Sequence, residues 1–180
     1  MVLLFSLALL VLSLILVRLF YPVWHAIHQK HTLLEVTPPA FSDKSVSANE
    51  TLFTALYGLG QSRSLIDKLL GRKNRYSVEI NSTRKEGVKF FFVIPTSQVE
   101  TIRQLISSHV PDAKLKEAKD YLKQSVNVYS IRQSKHFAYP VKNYDELDST
   151  DPIGYVTSAM TKLKDDEQLS LQIVFKPEYV

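Results

Sequence analysis

From Val2 to Val17 every residue is apolar except Ser6 and Ser13, and few folded structures accommodate a run of that kind. The two hydroxyls can bond back to the preceding turn of a helix. Arg18 follows, then Leu19, Phe20 and Tyr21, and Pro22 is expected to end the regular run. Counted through Phe20, the stretch matches the roughly 20 residues a helix needs to cross about 30 Å of hydrocarbon. Arg18 lies near enough to its end to snorkel to the headgroups. Tyr21 and Trp24 sit where an interfacial aromatic belt would be. Residues 1–24 therefore read as a transmembrane anchor, with Arg18, Tyr21 and Trp24 at the lipid interface. A cleaved signal peptide would start basic, run shorter and end in small residues. Here no Lys or Arg precedes the run, and bulky residues follow it. A buried core helix is the other solution, but a chain this short seldom opens with one.

Flanking charge sets the expected direction. Only the α-amine precedes the run, whereas Arg18, Lys30 and three histidines follow it. The positive-inside bias then places the N-terminus outside an inner cell membrane, with a single pass and a cytoplasmic soluble part. In that compartment the triplets Asn49-Glu50-Thr51 and Asn81-Ser82-Thr83 are not glycosylation sites.

The 180 residues leave room for this segment plus one compact domain or two very small ones. Hydrophobic content of 45% with 22% charge is that of a folded chain rather than a disordered one. A net charge of +4 permits contact with anionic lipid or nucleic acid without demanding either. The sequence has no cysteine, which excludes disulfides, thiolate metal sites and cysteine nucleophiles together.

Behind the anchor, periodicity predicts an α+β fold. Residues 25–46 read as a juxtamembrane segment with a strand at Leu33 to Val36, stopped by Pro38 and Pro39. Ser47-Ala48-Asn49-Glu50 has capping-box spacing and opens a helix carrying Leu52, Phe53, Leu56 and Tyr57. A break is expected at Gly58 to Gly60, with a continuation through Leu65, Ile66, Leu69 and Leu70. Tyr76, Val78 and Ile80 alternate with Ser77, Glu79 and Asn81, the period of a half-buried strand. A charged turn leads to a second strand, Val88 to Ile94. Ser97-Gln98-Val99-Glu100 reads as another capping box, for a helix closed by Pro111, and Ala113 to Ala118 as a further strand. The order strand, helix, strand, strand, helix, strand predicts a ferredoxin-like (βαββαβ) core over residues 47–122 and the strand before it.

Residues 123–180 are expected to add a β-α-β extension, either of the same sheet or as a second α+β unit. Its parts are strands at Val126 to Ile131 and His136 to Val141, a helix opened by Asp151-Pro152, and a final strand from Leu169 to Phe175.

No catalytic constellation stands out, and neither a cofactor nor a metal is implied. Gly58-Leu59-Gly60-Gln61-Ser62 and Gly71-Arg72-Lys73 fail the spacing of a phosphate-binding loop. His25, His28 and His31 would share a helical face if the membrane helix continued, but further ligands are missing. Asp148, Asp151, Asp165, Asp166 and Glu167 belong to turns and helix ends. The one charged feature of note is a basic cluster, Arg63, Lys68, Arg72, Lys73 and Arg75, with Arg84 and Lys85 added from the hairpin turn. A solvated loop, the phosphates of anionic lipid and those of nucleic acid are its three possible environments, in that order. Phe90, Phe91 and Phe92 lack the RNA-binding pattern and read as core.

Several segments in order carry a resemblance. They are Asn49-Glu-Thr-Leu-Phe, Tyr76-Ser-Val-Glu-Ile, Val88-Lys-Phe-Phe-Phe-Val-Ile-Pro and His109-Val-Pro-Asp-Ala, then Tyr139-Pro-Val-Lys-Asn-Tyr, Asp151-Pro-Ile and Leu171-Gln-Ile-Val-Phe-Lys-Pro. Together, from about Leu33 onward, the chain resembles the N-terminal, membrane-proximal region of coupling ATPases of bacterial type IV secretion and conjugative DNA transfer. The resemblance implies anchoring, assembly or substrate docking beside a RecA-like motor expected beyond Val180 or in a partner, and it brings no catalytic residue onto this chain. The function expected is that of a non-enzymatic accessory domain of such a system. Its partners would be membrane lipid, an ATPase or secretion-channel component, and further copies of itself. The alternative is a membrane-tethered nucleic-acid-binding module that uses the basic cluster.

Overall fold

A computed structural model describes residues 2–39, 47–61, 64–122, 127–132, 134 and 152–176. Helix α1, Val2–His28, is 27 residues long. It is long and apolar enough to cross a membrane, and none of its apolar window is buried. Leu4, Leu7, Leu10, Leu14, Leu19 and Phe20 are all more than half exposed. A core helix would bury that surface, and here it stays exposed.

Pro22 does not stop α1. Its ring forfeits one ladder bond and crowds the carbonyl four residues back. The last turns nonetheless hold, because Tyr21, Pro22, His25, Ala26 and Gln29 form a half-buried stripe against the domain. The amide of Gln29 still donates to the carbonyl of His25 at 2.8 Å. Gln29 and Lys30 then lead directly into strand β1, His31–Thr37.

Helix α2, Ser47–Gln61, runs through Gly58 and Gly60 without the expected break. Each glycine costs a helix about 1 kcal/mol, and burial of Leu52 and Leu56, with Leu59 packed beside them, offsets it. A short helix α3, Leu65–Leu69, follows. Strands β2, Tyr76–Thr83, and β3, Gly87–Pro95, form the hairpin. Gly87 adopts φ 71°, a left-handed conformation that favours glycine at the end of the turn. The next stretch departs from expectation at one point: Thr96–Gln98 forms a 3-10 turn, so helix α4, Val99–His109, starts without a side-chain cap from Ser97. Strand β4 is Lys114–Ala118, helix α5 Pro152–Met160 and strand β5 Gln168–Phe175.

The strands make one antiparallel sheet in the order β4-β1-β3-β2-β5. The last strand thus extends the first sheet. Val126 to Ile131 was expected as a strand of this extension. Residues 127–131 are instead irregular, with Val128, Tyr129 and Ile131 over 80% exposed, and no strand among the described residues pairs with them. The strand expected at His136 to Val141 and the cap at Asp151 lie outside the described residues.

Helices α2 and α4 cover one face. Leu52 and Leu56 from α2 and Val99, Ile102 and Ile106 from α4 close on Leu34, Tyr76 and Ile94 of the strands. α5 meets the same sheet near its far end, where buried Ser82 donates to the carbonyl of Met160 at 2.9 Å.

The opposite face is mixed, with Ser77, Glu79 and Asn81 buried on it beside Phe91 rather than solvated. The segment after β4 crosses this face, and the Tyr121 ring stacks on Phe91 with centroids 4.5 Å apart. Its hydroxyl donates to the Glu79 carboxylate at 2.5 Å. Gln168 donates to both Asn81 at 2.8 Å and the Tyr121 carbonyl at 3.1 Å, tying the crossing to β5. Burial, and then the neighbouring Glu79, push the Tyr121 phenol up to about 12. An ordinary phenol ionises near 10. The folded state therefore holds a proton that the unfolded chain releases, and this contribution to stability fades as pH rises from about 10 toward 12. Tyr121→Phe is expected to lower unfolding free energy by about 1–3 kcal/mol, since a buried carboxylate loses its donor. An unchanged urea midpoint would rule out this role.

Candidate membrane-interface site

The Schellman turn that ends α3 builds the site. Ser64 caps α3: its hydroxyl accepts from the Asp67 amide at 3.1 Å and donates to the Asp67 carboxylate at 2.7 Å. At the other end the Arg72 amide reaches the Asp67 carbonyl at 2.9 Å and the Gly71 amide the Lys68 carbonyl at 3.3 Å. Gly71 has φ 68°, as that motif requires. A Cβ there would also lie 3.2 Å from the Pro22 ring, so this turn lies directly against α1.

The turn delivers Arg72 to the end of α1. Its guanidinium bonds the Asp67 carboxylate at 3.0 Å and the Tyr21 hydroxyl, with its carbon 4.9 Å from the Tyr21 ring centre. Gln29 donates to Asn74 at 3.0 Å, and the Thr96 amide donates to the Lys30 carbonyl at 3.0 Å. Three separate links thus fix the end of α1 to the stretch before β2 and the turn after β3. The Ser64 hydroxyl, and after it Arg72, hold the Asp67 carboxyl below its ordinary value, while the Tyr21 hydroxyl and Asp67 raise that of Arg72. Asp67 therefore stabilises the turn above the ordinary carboxylate value of about 3.9, and that stabilisation is lost as pH falls through its lowered value. Followed by NMR, the Asp67 carboxyl should titrate higher in Ser64→Ala than in Arg72→Gln. The reverse order would make the ion pair, not the cap, the main cause.

Around this clamp the basic residues divide. Arg72 meets Tyr21, with Lys68, Lys73 and Arg75 near it along the chain, whereas Arg63 lies outside the described residues. Arg84 and Lys85 do not join them. They sit in the hairpin turn at the other end of β2, whose length separates the two groups by roughly 24 Å at a strand's rise per residue. Sequence proximity implied one patch, but an extended strand spends its residues on distance.

The residues expected at a membrane interface also separate. Tyr21 is engaged by Arg72, whereas Trp24 points outward, 54% exposed and stacked on His28 at 4.6 Å. Arg18 is exposed one turn before Tyr21. α1 ends at His28, so His31 belongs to β1 and the three histidines do not share a helix face. Among the described residues no group of three or more His, Asp or Glu could hold a metal ion. A shallow groove on the opposite face of the sheet is lined in part by His31, Thr32, Glu79, Asp120 and Gln172.

Sequence reasoning missed the clamp itself. Tyr21 and Arg72 are 51 positions apart, and the visible signal was only a Gly-Arg pair after an apolar turn. A family model described as a domain of unknown function (DUF8128) matches residues 23–179. None of the curated proteins and none of the solved structures matches the chain.

Proposed function

The chain belongs to the DUF8128 family, and we propose that it is a non-enzymatic, membrane-anchored accessory domain of a type IV secretion or conjugative DNA-transfer ATPase system. The observation that carries this reading is the joint between α1 and the sheet. Only Gln29 and Lys30 separate the apolar helix from a strand inside the sheet, and the Arg72–Tyr21 and Gln29–Asn74 contacts brace that joint. A flexible linker would leave the domain free to tumble, whereas a braced joint holds its surfaces at a set height above the bilayer. The β4 and β5 edges offer strand-pairing sites for a partner.

The finer parts of the reading have separate supports. The order β4-β1-β3-β2 supports a ferredoxin-like core, to which β5 is added. Arg18 and the basic turn beside Tyr21 support a cytoplasmic domain with the N-terminus outside the inner membrane. The ATPase partner rests on the sequence resemblance. The nucleic-acid alternative draws less support, because the basic residues lie at two ends of β2 instead of along one groove.

The test is to cross-link the tagged full chain in intact cells, extract it in mild detergent and identify what travels with it. An ATPase with a Walker loop or a secretion-channel subunit is expected. Recovery of the chain free of both would end this reading.

A further inference from the structure

Helix α3 exposes the wrong residues for a solvated surface turn. Leu65, Ile66 and Leu69 are 84%, 64% and 66% exposed. Their positions would suit the inner stripe of a continued helix, yet nothing among the described residues covers them. Lys68 is exposed among them, and half-buried Lys73 and exposed Arg75 follow in the irregular stretch before β2.

The height of this patch is fixed by its neighbours. Gly71 abuts Pro22, and Arg72 bonds Tyr21. Tyr21 lies about 26 Å along the helix from Leu4 at 1.5 Å per residue, close to the far boundary of a hydrocarbon core about 30 Å thick. Leu69 is two residues from Gly71. The Gly71 end of α3 therefore stands level with the boundary that α1 leaves.

We propose that α3 is a second membrane contact. Leu65, Ile66 and Leu69 enter the boundary between headgroups and acyl chains of the bilayer that α1 crosses, and Lys68, Lys73 and Arg75 meet its anionic phosphates. The apolar trio would otherwise face water, and the basic residues beside it match an anionic leaflet. A single helix leaves a domain free to rotate about the helix axis and to tilt. A second contact to one side removes both freedoms, so α3 sets which sheet edge faces a partner. This inference rests on α1 being a membrane anchor.

The sequence supplies its own controls, having no cysteine and one tryptophan, Trp24. Ile66→Cys and Leu69→Cys, each labelled with an environment-sensitive fluorophore, are made in the full chain. Each is reconstituted in phosphatidylcholine vesicles containing phosphatidylglycerol and lipids brominated near the top of the chain. Glu86→Cys, in the hairpin turn at the far end of β2, is the reference. Quenching several-fold greater at positions 66 and 69 than at 86 is expected. Leu65→Ser with Leu69→Ser in the Ile66→Cys background should reduce it to the reference level. Replacing Lys68, Lys73 and Arg75 by Glu should weaken it in phosphatidylglycerol vesicles. Quenching of Trp24 without quenching at 66 and 69 overturns the α3 contact and leaves the anchor standing. Absence of quenching at all three overturns both. Equal quenching at 66 with and without phosphatidylglycerol overturns the phosphate contacts.

Discussion

Replacing Leu10 and Leu14 together by arginine is expected to empty the membrane fraction of this chain. Both lie midway along α1, one helical turn apart, and both are more than half exposed, so neither has a protein neighbour to lose. The effect is then one of transfer into lipid alone. An arginine at the centre of a spanning helix costs about 2.5–3.5 kcal/mol on the insertion scale, so the pair costs about 5–7 kcal/mol. That is more than a thousandfold in an insertion equilibrium. The wild-type chain should resist extraction by alkaline carbonate, and the double variant should appear in the soluble or aggregated fraction. A double variant that remains carbonate-resistant would remove α1 as the anchor, and the reading of α3 would fall with it.

The second large effect is expected from Leu34→Ala in the full chain. Leu34 is 0% exposed, lies opposite Phe92 in β3 and packs against α2 and α4. Truncation removes the transfer energy of the lost methyl groups and leaves a cavity that the surrounding elements close only in part, a cost of about 2–5 kcal/mol. Ile173→Ala, on β5 at 51% exposure, is the matched control and should change stability by no more than about 0.5 kcal/mol. Urea unfolding in detergent, followed by near-UV circular dichroism of the tyrosines, reads both. Equal midpoints for the two variants would mean that the core does not centre on β1. A large Leu34 effect would also bear on the α1 joint, since only two residues separate α1 from β1.

Much of the fold was legible because its signals are local. The alternation of Tyr76, Val78 and Ile80 with polar neighbours marks β2, the stops at Pro38 and Pro111 bound β1 and α4, and Pro152 opens α5. Local rules failed where a distant contact outweighed them. Pro22 and Gly58 are helix breakers by propensity, yet each stays helical because its helix packs on another element. The reverse happened at Ser97, where a capping signal was overridden by a 3-10 turn in which Gln98 accepts from the Tyr76 hydroxyl at 2.8 Å.

The candidate site was legible only as a list of charges. Lys68 to Arg75 and Arg84 with Lys85 read as one patch until β2 separated them. Glu79 read as a solvated strand residue until Tyr121, 42 positions later, crossed the sheet and bonded it.

By itself the sequence determined the apolar length of α1, the pattern of strands and helices and the absence of cysteine chemistry. These depend on run length, periodicity and residue type, which are properties of neighbours along the chain. Only the tertiary structure decided that β5 joins β2, that Arg72 braces Tyr21 and that the apolar residues of α3 stay uncovered among the described residues. Periodicity marks which residues are apolar, but whether anything covers them depends on segments far away in the chain.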